Sequence, residues 1–282
     1  MRLRLTFAAL VLLLPGSLFA QARDLQDASP PLPNNQTQEQ RGRQLLDQMV
    51  AALGGPAWLS RHTASELGRT AAFYRGQPTG NTIDFSEFRQ FRSATQPPLE
   101  RIGFITDKSM ILPGKKIDIV QIWTADNGYE ITFKGKAALP KDQVEDYLRR
   151  RAHSIEAVVF TWLKTPGVMV IAEGTSMVER HLTDKLTVLS ANNDAVTIEL
   201  DVTTHLPLAR TFEWRNPQFQ DHDEDREEYD DYHDFGGLPT PLTLSRYRNG
   251  DLANQRFLTK VEYNVPLSPD TFNPDILLKK KK

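Results

Sequence analysis

Beyond residue 62, apolar and polar side chains alternate with a period of two through most of the chain. Tyr129, Ile131 and Phe133 share one phase of such a run, as do Val196, Ile198, Leu200 and Val202. Leu208, Phe212 and Trp214 follow the same period with Arg210 between them; Leu242 and Leu244 continue it, as do Phe257, Val261 and Tyr263. The intervening positions are mostly Thr, Glu, Asp, Arg and Lys, the pattern of strands buried on one face and wet on the other. Strands are expected over 63–74, 82–92, 99–106, 117–124, 128–134, 168–173, 176–182, 185–190, 195–202, 207–215, 226–232, 240–248 and 253–263. Asp126-Asn127-Gly128, Asn192-Asn193-Asp194 and Arg248-Asn249-Gly250 supply turns between them. Turns this short join antiparallel neighbours, since parallel pairs need long crossovers.

Two stretches carry a helical period instead. From Thr37 to Leu53, Leu45, Leu46, Met49, Val50 and Leu53 make one stripe; Thr37 with Gln40 suits a capping box and Gly54-Gly55 a left-handed C-cap. Pro56 then opens a short turn carrying Trp58 and Leu59. The second stretch is one long helix from Lys141 to Leu163, ended by Pro166-Gly167, with Val144, Tyr147, Leu148, Ile155, Val158, Val159, Trp162 and Leu163 on its apolar face. The fold class is α+β: a large curved antiparallel sheet of about eleven strands, a half β-barrel, with helices covering its apolar concave side. Two or three helical stripes cover less apolar surface than such a sheet offers. Either the sheet curls into a packed core or it keeps a cavity lined by apolar side chains.

The N-terminus departs from both periods. Arg2 and Arg4 precede an apolar run from Leu5 to Leu14, Pro15-Gly16 breaks it, and Ala20-Gln21-Ala22 offers a small-x-small cleavage site. The run is about 10 residues where a spanning helix needs roughly 20. Residues 1–22 therefore read as a secretory signal peptide cleaved after Ala22, with cleavage after Ala20 or an uncleaved N-terminal anchor as the alternatives, followed by a polar, Pro-rich leader at 23–36, a single domain at 37–275 and a basic tail at 276–282. The chain has no Cys, hence no disulfide framework and no site for N-terminal lipidation. A periplasmic location is expected.

Charge narrows the function classes. The chain has 34 Lys+Arg against 36 Asp+Glu, a net charge of −2, which gives no electrostatic case for nucleic acid. Residues 221–234, DHDEDREEYDDYHD, hold nine carboxylates and one Arg. His222 with Asp221, Asp223 and Asp225 has hard-cation donors but lacks the calcium-loop spacing. A charged edge strand, whose solvated carboxylates discourage aggregation, suits the run better, and a basic protein partner is the third reading. The remaining histidines, His62, His153, His181, His205 and His233, are separated in sequence from co-ligands and read as surface or satisfied polar groups. There is no G-x-S-x-G elbow, no H-E-x-x-H and no phosphate-binding Gly loop, so no enzyme, cofactor or metal is expected. Lys279 to Lys282 fit a solubilising tail, with at most transient contact with an anionic membrane.

The order of elements, and several local segments, resemble the LolA/LolB-like family of periplasmic lipoprotein carriers. The carrying residues are Val202 to Arg215 as a strand pair around a short turn, Tyr229 and Tyr232 in a polar strand, and Gly236-Gly237-Leu238-Pro239-Thr240-Pro241 leading into the next. Tyr247 to Gly250 then form a hairpin, and Val261 to Asn264, Leu267 and Phe272 a closing strand and tail, with Leu53-Gly54-Gly55 and Trp58 near the front. The resemblance implies a half-barrel whose cavity receives acyl chains. No Arg aligns with the residue that fixes the carriers' lid, so it implies a carrier of lipid or another hydrophobic ligand more than a lipoprotein shuttle. The residues proposed to line that cavity are Ile131, Phe133, Trp162, Ile198, Leu200, Phe212, Trp214, Leu244 and Phe257, which a packed core would use equally well. The alternative is an envelope sensing module that docks a protein partner through the acidic run.

Overall fold

The structure, a computed structural model, describes residues 36–80, 82–93, 96–105, 119–216 and 221–275. The segments read as signal peptide, leader (all but Gln36) and basic tail lie outside the described residues.

Helix α1 (Gln38–Ala52) begins where the sequence places it. The Thr37 hydroxyl accepts from the Gln40 amide while the Gln40 side chain accepts from the Thr37 amide, closing the capping box. Its buried stripe is Gly42, Leu45, Leu46 and Met49. Gly42 lets the helix lie against a strand: a Cβ there would stand 2.7 Å from the Val170 carbonyl oxygen. Helix α2 (Pro56–Ser60) follows at once and buries Trp58. The strands come next: β1 (Thr63–Tyr74), the short β2 (Gln77–Pro78), β3 (Ile83–Gln90), β4 (Leu99–Ile105), β5 (Ile119–Trp123), β6 (Gly128–Thr132) and β7 (Gly135–Ala138). Helices α3 (Lys141–Ala152) and α4 (Ile155–Phe160) and a 3-10 turn at Trp162–Lys164 interrupt them. Then β8 (Met169–Val178), β9 (His181–Leu189), β10 (Ala195–Asp201), β11 (Pro207–Arg215), β12 (His222–Asp234), β13 (Pro239–Arg248) and β14 (Asp251–Tyr263) run back.

All strand pairs are antiparallel and form one open sheet in the order β7-β6-β5-β4-β3-β1-β14-β13-β12-β11-β10-β9-β8, with β2 paired to β1. Two meanders are thus joined where the first long strand meets the last. The helices cover one face, hereafter the inner one. At the β8–β11 end this face is a packed core: Val170, Leu186, Val188, Val196, Ile198, Leu200 and Phe212 lie under Leu45, Leu46 and Met49 of α1 and Val158 of α4. The two glycine segments of the sequence meet in space, since a Cβ on Gly54 would lie 2.5 Å from the Gly237 carbonyl oxygen.

Four expectations are corrected. The long helix is two: His153 caps α3, and the Ser154 hydroxyl accepts from the Ala157 amide to start α4. The segments 168–173, 176–182 and 185–190 are two strands, because Gly174 marks a β-bulge within β8 while the turn falls at Glu179-Arg180, which has no glycine. Among the described residues the sheet has 14 strands where about eleven were expected, its open antiparallel character as read. Finally, the acidic segment is no edge: β12 lies between β11 and β13, and arginines from both neighbours meet its carboxylates.

Candidate functional site

Midway along the inner face, beyond the packed end, the helices bridge a cavity of about 280 Å³. Its floor comes from β1, β3, β4, β11, β12, β13 and β14, and its roof from Tyr147, Arg150 and Arg151 of α3 and from Ile155 to Ala157 of α4. Part of the lining is apolar or aromatic, including Leu53, Trp58, Phe91, Leu244, Leu258 and Tyr263.

The rest of the floor is charged. Registers place Glu66 of β1, Glu87 and Arg89 of β3, Glu100 of β4 and Arg256 of β14 on the inner face. Arg256 pairs with Glu87, and Arg89 stands 3.6 Å from Glu66 and 3.7 Å from Glu87. On the other side Arg210 of β11, 2% exposed, contacts Asp225 at 3.4 Å and Glu227 at 3.2 Å. The Tyr229 hydroxyl donates to Glu227 at 2.8 Å. Arg61 joins the floor to α4 through Glu156 at 2.9 Å. Burial of single charges is costly and pairing offsets it, so these groups hold one another in place.

The titration behaviour follows from these contacts. Burial, reinforced by the negative charge of Glu87, pushes the Glu100 carboxyl up to about 7. Burial and Glu87 likewise raise Glu66. Burial would also raise Glu227, but Arg210 and the Tyr229 hydroxyl outweigh it and hold this carboxyl below the usual range. Burial lowers the Arg61 guanidinium despite Glu156.

Helix α3 is a polar roof. None of its residues is buried. It is held by Asp146, which accepts from Arg246 and Arg248 of β13 at 3.0 Å each, and by Tyr147, which stacks on Trp123 at 3.9 Å between centroids and donates to Glu100 at 2.9 Å. Burial opposes ionisation of Asp146, yet Arg246, Arg150 and Arg248 outweigh it and lower its affinity for a proton. Arg151 donates to the carbonyls of Pro98, Thr124 and Ala125, tying the end of the helix to the β5–β6 corner.

Of the nine residues proposed from sequence, Leu244 lines this cavity. Ile198, Leu200 and Phe212 are in the packed core, and Trp162 and Trp214 pack against it. Trp214 carries Arg149 and Arg248 over its ring, and Phe212 stacks on His153. The other three lie elsewhere. Ile131 pairs with Val120 and shares the outer face with Ile122 and Arg101, beside the C-terminal Ser268–Asn273 segment. Phe133, just past β6, is 70% exposed. A bulge between Leu258 and Lys260 reverses the phase of β14, so Arg256, Leu258 and Val261 point inward while Phe257 points outward. Sequence reasoning missed the charged floor, although Arg210 within the apolar phase of β11 carried its signal.

With this geometry in view, the fold, an open antiparallel sheet with helices across one face, is that of two solved structures. A structure of a DUF1329 family protein from Desulfovibrio piger superposes with a TM-score of 0.57 at 9% identity, over 84% of this chain and 98% of that one. A putative outer membrane lipoprotein-sorting protein domain from Vibrio parahaemolyticus gives 0.53 at 9% identity, over 83% and 97%. No protein-family model and no curated protein sequence matches this chain.

Proposed function

We propose that the protein is a periplasmic carrier that takes one slim apolar chain, an acyl chain or a ligand of similar shape, into the cavity beneath α3 and α4. The observation that carries this reading is the cavity itself: about 280 Å³, partly walled by aromatic and aliphatic side chains, just below the roughly 300–1,000 Å³ usual for ligand pockets. That size suits a single chain. Each methylene transferred from water contributes about 0.8 kcal/mol. The roof is built to move, because α3 buries no side chain and is held by ion pairs, one aromatic stack and hydrogen bonds to carbonyls. The export signal at the N-terminus supports action in the periplasm, and the fold shared with a lipoprotein-sorting domain agrees with a carrier.

Docking of a protein through the acidic run has less support. Asp223, Asp225, Glu227 and Glu228 are already engaged by Arg248, Arg246, Arg210 and Arg226.

Native mass spectrometry of the mature protein purified from its own cell envelope tests the proposal. A discrete mass adduct, released on denaturation and extractable into organic solvent, is the expected result. Protein that is consistently empty, when gently purified, contradicts it.

A further inference from the structure

Not every charge around the cavity is paired. Seven arginines line it against four glutamates. Most pair off: Arg61 with Glu156, Arg210 with Glu227, Arg150 with Asp146, and Arg89 and Arg256 with Glu66 and Glu87. Arg92 and Arg151 are left, and neither has a carboxylate partner among the described residues. The remaining acid, Glu100, is engaged by the Tyr147 hydroxyl.

Arg151 is fixed by donating to three backbone carbonyls, which orient its guanidinium without neutralising it. Its place in the last turn of α3 has a local reason, since helix C-termini favour cations. No such reason applies to Arg92, which directly follows Phe91 at the end of β3 and is only partly exposed. Both side chains line the same cavity, and after burial the charge of Arg151 is the second cause pressing Arg92 below its ordinary proton affinity. Two like charges beside a cavity, neither with a carboxylate partner among the described residues, form a site for an anion. Guanidiniums offer planar, forked donors that match carboxylate and phosphate oxygens.

We propose that Arg92 and Arg151 form the head-group site of the cavity, and that the ligand is therefore an anionic amphiphile: one apolar chain carrying a carboxylate or phosphate. This rests on the carrier reading above and specifies its ligand. Any cationic or uncharged amphiphile would leave the arginine pair uncompensated.

The test is calorimetric titration of the mature protein at low salt with four ten-carbon ligands below their micelle concentrations: decanoate, decyl phosphate, decan-1-ol and decyltrimethylammonium. At least one anion is expected to bind about ten-fold or more tightly than the alcohol, with the cation weakest. Decanoate and decyl phosphate compared with each other tell which head group is preferred. Arg92→Gln should bring the preferred anion to within two- or three-fold of the alcohol (roughly the loss of one charge-assisted contact), leave the alcohol unchanged, and Arg92→Lys should restore part of the preference. An alcohol that binds as well as both anions overturns the proposal while leaving the carrier reading intact, as does full anion affinity in folded Arg92→Gln. If Arg92→Gln does not fold, the wild-type series decides alone. Failure of all four chains to bind would remove the carrier reading as well.

Discussion

Glu100 is the clearest titrating residue of the site. Its carboxyl sits under the Tyr147 hydroxyl on a floor shared with Glu66 and Glu87, and its folded value of about 7 lies above the ordinary 4.5. An acid raised in the folded state keeps its proton where the unfolded chain has lost it. Its ionisation therefore costs no stability below pH 4.5, costs progressively more up to about 7, and is fully developed above that. Glu100→Gln keeps an acceptor for Tyr147 and removes the charge. The variant should melt close to the wild type at pH 4.5 and above it at pH 8, a gap opening between the two that thermal unfolding across the range will read. A gap independent of pH would mean that the carboxyl is not held protonated. Arg210 offers the opposite lesson: an arginine at 2% exposure is tolerated because two carboxylates from the adjacent strand reach it.

At the scale of elements, the carrier proposal makes α3 the movable part. Its Asp146 links the helix to Arg246 and Arg248, which keep Asp225 and Asp223 as partners when Asp146 is changed. Asp146→Asn should thus loosen α3 without unpairing the sheet. The expected result is faster amide hydrogen exchange over 141–152, unchanged exchange in α1, and a global loss of about 1 kcal/mol. Equal loss of protection in both helices would show α3 to be part of the common core. Elements with strong local chemistry were legible in the sequence: the Thr37–Gln40 box, the Asn249-Gly250 turn and the alternating strands β10 and β11 appear where they were read. The division of α3 from α4 was visible only in Ser154, a cap residue inside an apolar run. The face each strand presents was less legible. Period-two alternation groups residues without saying which group faces the helices, so Ile131 fell on the outer side, and one bulge sent Phe257 after it. The place of β12 in the sheet was hidden for a different reason: its arginine partners come from strands whose order the local sequence does not encode.

The whole molecule divides its inner face by chemistry. Aliphatic side chains fill the β8–β11 end under α1 and pack into a core. The middle, where the two meanders meet, trades that packing for buried ion pairs and keeps a cavity. Ion pairs of this kind contribute little net stability, but they hold a polar floor open where apolar side chains would collapse together. The carrier reading belongs to this middle region, and Leu244 is the sequence-proposed residue that stands in it. Titrating the wild-type protein with a fluorescent single-chain fatty-acyl probe, alongside Leu244→Trp as a variant that fills the cavity, tests the claim most directly. The wild type should bind one probe saturably, and the equally folded variant should bind it at least about ten-fold more weakly; unchanged affinity in Leu244→Trp, or no saturable binding in the wild type, would contradict it.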